Sequence, residues 1–150
     1  MIKVSILMPA CNVEKFLREC MDSVVGQTLK DIEIICIDDG SKDSTGDILD
    51  DYAEQDERVK VIHKPNSGYG HSMNVGLQHA TGEYIGIIET DDFADLDMFE
   101  RLYEVAKRTD ADVVKSNYYT YVSEPEPKSE LMEVLKSYNL YDKGFNPSTE

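Results

Sequence analysis

Residues 32–41 read IEIICIDDGS. Ile32 to Ile37 is a short run rich in isoleucine, closed by the turn-forming Asp38-Asp39-Gly40-Ser41. Such a run, bounded by turn residues, reads as a strand buried on both faces. Working outward, Lys3 to Met8 (KVSILM) is a run of the same kind, stopped by Pro9. Between them Asn12 offers an N-cap. Val13, Phe16, Leu17, Cys20, Met21, Val24 and Val25 then follow at helical spacing, with Gly26 near the end.

The alternation continues downstream. A second helix opens around Asp43 or Ser44 and carries Ile48, Leu49, Tyr52 and Ala53; Val59 to Ile62 is a third strand. A loop, KPNSGYG, leads into a helix from about His71 to Ala80, ended by Gly82. Glu83 to Ile88 (EYIGII) is the fourth strand, followed at once by Glu89-Thr90-Asp91-Asp92. A fourth helix is expected from about Asp95 to Arg108, with Met98, Phe99, Leu102, Val105 and Ala106 inward, and a fifth strand from Asp112 to Lys115. Four successive β-α units imply an α/β fold, a mostly parallel sheet with helices on both faces. After Asn117 the pattern decays. Ser123 to Lys128 reads as a linker, Leu131 to Leu140 as a further amphipathic helix, and Gly144 to Glu150 carries no structural signal. The expected organisation is one domain over 1–117, then a linker and the start of a further region over 118–150.

In parallel α/β sheets, ligands bind outside the carboxyl ends of the strands. Four polar segments fall there: Pro9 to Asn12, Asp38 to Ser41, Asn66 to Gly70 and Glu89 to Asp92. Asp91 and Asp92 concentrate charge; at ~4–5 Å and a dielectric of about 20, one like-charge pair costs roughly 3–4 kcal/mol. A divalent cation reverses that sign, and oxygen ligands favour Mg²⁺ or Mn²⁺ over zinc. The competing role is helix capping, which suits Asp95. Asp38 and Asp39 serve either the turn itself or as acceptors toward a base or sugar. Asn66 to His71 could cradle a phosphate at a helix start, with His71 touching it. It is neither a P-loop nor a dinucleotide fingerprint, for the required Gly-Lys-Ser/Thr and third glycine are missing. Gly76 reads as a close-packing position, His63 and His79 as packing or surface residues, and Tyr118, Tyr119 and Tyr121 as part of a strand or its cover.

Composition bounds the partners. The chain has 150 residues, 41% of them apolar, which is enough for a core. Fifteen basic against 30 acidic residues give a net charge of −15, which opposes binding to nucleic acid or anionic membranes. No apolar stretch approaches ~20 residues, so no transmembrane segment is expected, and the N-terminus reads as a strand, not a signal peptide. Cys11, Cys20 and Cys36 are odd in number without a C-x-x-C pair, and read as buried thiols in a reducing cytosol.

With the loops in order, the sequence resembles the family 2 glycosyltransferases of GT-A fold. The resemblance rests on VSILMPACN, IEIICIDDGSKDST, NSGYGHSMNVGL and GEYIGIIETDDF, and covers roughly residues 3–117. It implies transfer of a sugar from a nucleotide sugar, most often a uridine diphosphate sugar, to an acceptor hydroxyl, by direct and inverting displacement. Pro9, Ala10, Asn12, Asp38, Asp39, Asn66, His71 and Thr90 would bind the nucleotide sugar, with Asp39 facing the base. Asp91 and Asp92 would hold Mg²⁺ or Mn²⁺ at the diphosphate. The acceptor would be a saccharide or a lipid-linked one, the process cell-surface polysaccharide assembly, and the location cytoplasmic or peripheral to the membrane. Glu89 stands where the family often has Asp, and Met73 where it commonly has Arg. Family members run well beyond 150 residues, so this chain is expected to be the donor-binding part, with its base beyond residue 150. Two other readings are a noncatalytic nucleotide- or protein-binding domain of the same fold, and a Mg²⁺-dependent phosphohydrolase using Asp38 or Asp91.

Overall fold

The computed structural model describes residues 1–122 and 128–132. In chain order the elements are β1 (Val4–Ala10), α1 (Glu14–Val25), β2 (Ile32–Asp38), α2 (Thr45–Gln55), β3 (Val59–His63), α3 (Tyr69–His79), β4 (Tyr84–Ile87), α4 (Met98–Thr109), β5 (Tyr118–Val122) and β6 (Lys128–Met132). Contacts divide the chain into Met1–Tyr103 and Glu104–Glu150.

The first unit holds a four-stranded sheet of order β3-β2-β1-β4, every neighbouring pair parallel. The expected α/β architecture is therefore present. Alternation along β1 and β2 sorts the side chains between two layers. Val4, Ile6 and Met8 of β1, with Ile32, Ile34 and Cys36 of β2, join Leu17, Cys20, Met21 and Val24 of α1, Ile48 and Leu49 of α2, and Phe99. On the opposite face Leu7, Ile35 and Ile37 meet Ile62, Met73 and Ala80. Burying Ile34, Ile35 and Ile37 completely contributes ~1.5–3 kcal/mol each. α3 approaches this second face closely because residue 76 is glycine. A Cβ there would lie 3.0 Å from Ile37 Cδ1 and 3.2 Å from Leu7 Cδ2.

Several local expectations shift. Pro9 does not stop β1, which runs on to Ala10. Pairing with β4 ends at Leu7 opposite Ile87, so the missing N–H of Pro9 falls where that ladder has already ended. Its carbonyl accepts a hydrogen bond from Thr90 Oγ1 at 2.9 Å. Asn12 is not the cap of α1. Val13 holds that position, and Asn12 adopts a left-handed φ of 54°, which asparagine tolerates better than most residues. Phe16, on the expected apolar stripe, is exposed. α4 begins at Met98 instead of near Asp95, and it is the carbonyl of Asp95 that takes the Met98 amide, at 3.0 Å.

Asp112 to Lys115 forms no strand. β5 instead begins at Tyr118 and pairs antiparallel with β6 as a separate two-stranded sheet. Leu131 and Met132, read as the start of a helix, lie in β6; the rest of that segment lies outside the described residues, as do 123–127 of the expected linker. Cys20 and Cys36 are buried thiols, whereas Cys11 is exposed. Among the described residues, no helix is long and apolar enough to cross a membrane.

Candidate functional site

The carboxyl ends of β1, β2 and β4 and the start of α3 surround a cleft of about 210 Å³. Its walls are Pro9, Ala10, Cys11 and Val13 after β1, Asp39 after β2, Tyr69 and Ser72 on α3, and Glu89, Thr90 and Asp91 after β4. Of the sequence-predicted residues it brings together Pro9, Ala10, Asp39, Thr90 and Asp91. Thr90 is buried, and its bond to the Pro9 carbonyl ties the acidic turn to β1.

Asp39 is the most heavily engaged carboxylate on the cleft wall. Its Oδ1 accepts from the Ser67 amide at 2.8 Å and from the Lys64 ammonium, and its Oδ2 accepts from the Gly68 amide at 2.9 Å. Burial pushes the Asp39 carboxyl up, but Lys64 and the two amides outweigh it and hold the group below the usual aspartate range. Asn66 supports the same turn, its Nδ2 donating to the Asp39 carbonyl at 2.9 Å. Gly40, at φ +67°, makes the approach possible, since a Cβ there would meet the Asn66 nitrogen at 2.7 Å.

Asp38 faces elsewhere. Its Oδ1 accepts from the Ser41 amide at 3.0 Å and its Oδ2 lies 3.0 Å from His63 Nδ1. The other ring nitrogen of His63 reaches Asp50 on α2 at 3.0 Å. Hydrogen bonds to Asp38 and then to Asp50, each accepted by the carboxylate, raise the His63 pKa above the ordinary imidazole value. Asn12 joins two turns: its amide donates to Ser41 Oγ at 3.0 Å and its Oδ1 accepts from the Lys42 amide at 2.8 Å. His71 is exposed, with Nδ1 3.1 Å from Ser67 Oγ.

On the opposite wall, Glu89 accepts from the Tyr69 hydroxyl at 2.6 Å. The Asp92 amide donates to the Glu89 carbonyl at 3.0 Å, which curls the acidic segment into a turn. Desolvation, and then the charges of Asp91 and Glu89, push the Asp92 carboxyl above the ordinary aspartate range. The same field reaches inward. Burial first, and then Asp92 and Asp91, push the Cys20 thiol up to about 12. Among the described residues, no three His, Cys, Asp or Glu side chains come together in an arrangement that could by itself hold a metal ion. An oxygen-only turn of this kind fits a hard divalent ion whose remaining ligands come from phosphate and water.

Comparison with known proteins settles the lineage. The family model described as Glycosyl transferase family 2 matches residues 5–148. The chain belongs to glycosyl transferase family 2. The uncharacterized glycosyltransferase EpsJ of Bacillus subtilis (strain 168) is 45% identical over 121 residues, 81% of this chain and 35% of EpsJ. The fold is GT-A: S. aureus TarS 1-349 in complex with UDP-GlcNAc matches with a TM-score of 0.69 and 28% identity, over 73% of this chain and 32% of that one. The mannosyltransferase PcManGT from Pyrobaculum calidifontis, in complex with GDP-Man and Mn²⁺, matches with a TM-score of 0.54 at 25% identity, over 61% of this chain and 28% of that one. The chain thus spans about a third of the length of these relatives.

Sequence reading missed Lys64, Ser67 and Tyr69. Lys64 carried a usable signal: it is a cation one residue beyond the end of β3, in a loop that must pass beside two aspartates. Tyr69 carried none, because its partner Glu89 is twenty residues away on another element.

Proposed function

We propose that the chain binds a nucleoside diphosphate sugar, with uridine as the base, and serves transfer of that sugar to a hydroxyl of a saccharide or lipid-linked acceptor. The observation that carries this reading is the buried Asp39 carboxylate, held ionised at the cleft wall across from an oxygen-only acidic turn. Solved relatives with the same fold hold UDP-GlcNAc or GDP-Man with Mn²⁺, which supports it. Asp39 accepts a ring N–H of the base. Pro9, Ala10 and Thr90 shape the floor beneath the nucleotide. Asn66, Asn12 and Asp38 hold the turns that orient Asp39, and His71, beside Ser67, would touch a ligand phosphate. Asp91 and Asp92 would hold Mg²⁺ or Mn²⁺, which when bound offsets charge on a departing nucleoside diphosphate. In this reading the transfer is an inverting displacement, and the base that activates the acceptor comes from outside the residues described.

Titration calorimetry with Mn²⁺ present tests the donor site. The unmodified chain should bind UDP in preference to ADP. Asp39→Ala should weaken UDP by about tenfold or more, since an unpaired polar group in the site costs ~1–3 kcal/mol. Equal affinity for the two diphosphates in the unmodified chain would remove Asp39 from base selection.

A further inference from the structure

The Lys64 side chain is only 10% exposed and that of Asp39 only 7%. Lys64 leaves β3 with its amide bonded to the Asp38 carbonyl at 3.0 Å. Its ammonium then turns back to Asp39 Oδ1, to Ser67 Oγ at 2.5 Å and, more weakly, to the Pro65 carbonyl at 3.4 Å. An ammonium has three N–H groups, and these contacts use them. Lys64 is therefore spent inside the loop instead of being offered to a ligand. A carboxylate has about four acceptor positions, and among the described residues Asp39 fills three, with the cleft on its remaining side.

We infer that Lys64 is a positioning residue for base selection: it fixes Asp39 as a pure acceptor, so the site takes a base presenting a ring N–H and rejects one presenting a bare ring nitrogen. The inference rests on the donor-site reading above. Uracil and cytosine differ at this point, for uracil N3 carries a hydrogen and cytosine N3 carries a lone pair. An ionised Asp39 attracts the first and repels the second. Remove the cation, and the buried carboxyl takes up a proton more readily. A protonated Asp39 can donate to cytosine N3 and loses its advantage with uracil. The other titratable groups around Asp39 are Cys11 after β1, Tyr69 and His71 on α3, and Glu89 and Asp91 across the cleft. All of them are present in both proteins compared, so only a pH dependence confined to the Lys64 variant counts for the inference.

The test is the ratio of UDP to CDP affinity with Mn²⁺, measured from pH 8 down to pH 6, above the range in which cytosine N3 itself takes up a proton. The two ligands share a diphosphate, so its titration cancels in the ratio. The unmodified chain and Lys64→Arg should keep a constant preference for UDP. Lys64→Met should lose about tenfold of that preference toward pH 6, from the cost of mispaired polar groups. A Lys64→Met ratio that tracks the unmodified chain at every pH overturns the inference. If Lys64→Met does not fold, Lys64→Gln takes its place. It keeps a hydrogen-bond donor toward Asp39 without the positive charge, so it should lose the UDP preference in the same way, and a ratio that tracks the unmodified chain at every pH overturns the inference. Failure of the unmodified chain to bind UDP at all overturns the donor reading itself, and the inference with it.

Discussion

Glu33→Ala is expected to destabilise the chain by about 3 kcal/mol at neutral pH, with the loss shrinking as pH falls from about 4 toward 2. Glu33 lies in the middle strands of the sheet, its side chain 3% exposed. Its Oε1 accepts from Ser5 Oγ at 2.6 Å, the Thr81 amide at 2.6 Å and Thr81 Oγ1 at 2.9 Å, and its Oε2 takes the Lys60 ammonium at 2.7 Å. Burial raises the Glu33 carboxyl, but Lys60, Ser5 and Thr81 together outweigh it and hold it at about 2. The folded value lies below the ordinary glutamate value of roughly 4.3, so the stabilisation is present above pH 4.3 and is lost as pH falls toward 2. Lys60 is half exposed, which screens its share. Alanine would also leave the Ser5 hydroxyl and Thr81 amide without this acceptor. Urea unfolding at pH 7 and pH 3 measures both effects. Equal midpoints for the two proteins at pH 7, or an undiminished acid slope in Glu33→Ala, would show that the network does not hold β1, β2, β3 and the α3–β4 turn together.

Glu33 also marks where the sequence stops being informative. Ile32 to Ile37 reads correctly as a buried parallel strand because isoleucine in a short run has few alternatives. The glutamate within it needs partners, and these come from β1, β3 and the turn after α3, none of them adjacent in the chain. The same holds at the site. Asp39 is legible as a strand-end carboxylate, and Lys64 as a cation at the end of the next strand, but that the two pair is visible only once β2 and β3 lie side by side. The β-α order was legible through α4, because apolar stripes mark α1, α2 and α4, while α3, whose buried residues are Ser72 and Gly76, is bracketed by the turn-forming KPNSGYG loop and Gly82. It failed at Asp112 to Lys115, where two valines suggested a strand. A sheet partner is what makes a strand, and here the pairing goes to Tyr118–Val122 and Lys128–Met132.

The acidic turn carries the other large expected effect: removing divalent metal should weaken UDP binding on the order of 100-fold. Glu89, Asp91 and Asp92 lie within four residues, and a diphosphate brought to the cleft beside them meets like charge at short range. Asp91 lines the cleft, while Asp92 has its carboxyl raised by desolvation and by its two acidic neighbours. A raised aspartate pKa means that the fold disfavours the ionised form. That strain is present above the folded value and fades as pH falls through it. Calorimetry with Mn²⁺ or with a chelator measures the metal-dependent part. Asp91→Asn and Asp92→Asn should each abolish most of it, while the weak binding in chelator should be no weaker, since each substitution also removes a repulsive charge. Without metal, Asp92→Asn should melt no lower than the unmodified chain, because the substitution removes repulsion along with the charge. A lower melting temperature would mean that Asp92 serves the fold as a helix-side cap. Equal UDP affinity with metal and with chelator would mean that the diphosphate is held by the α3 start and its neighbouring amides alone, and that the carboxylates of the turn only shape the cleft.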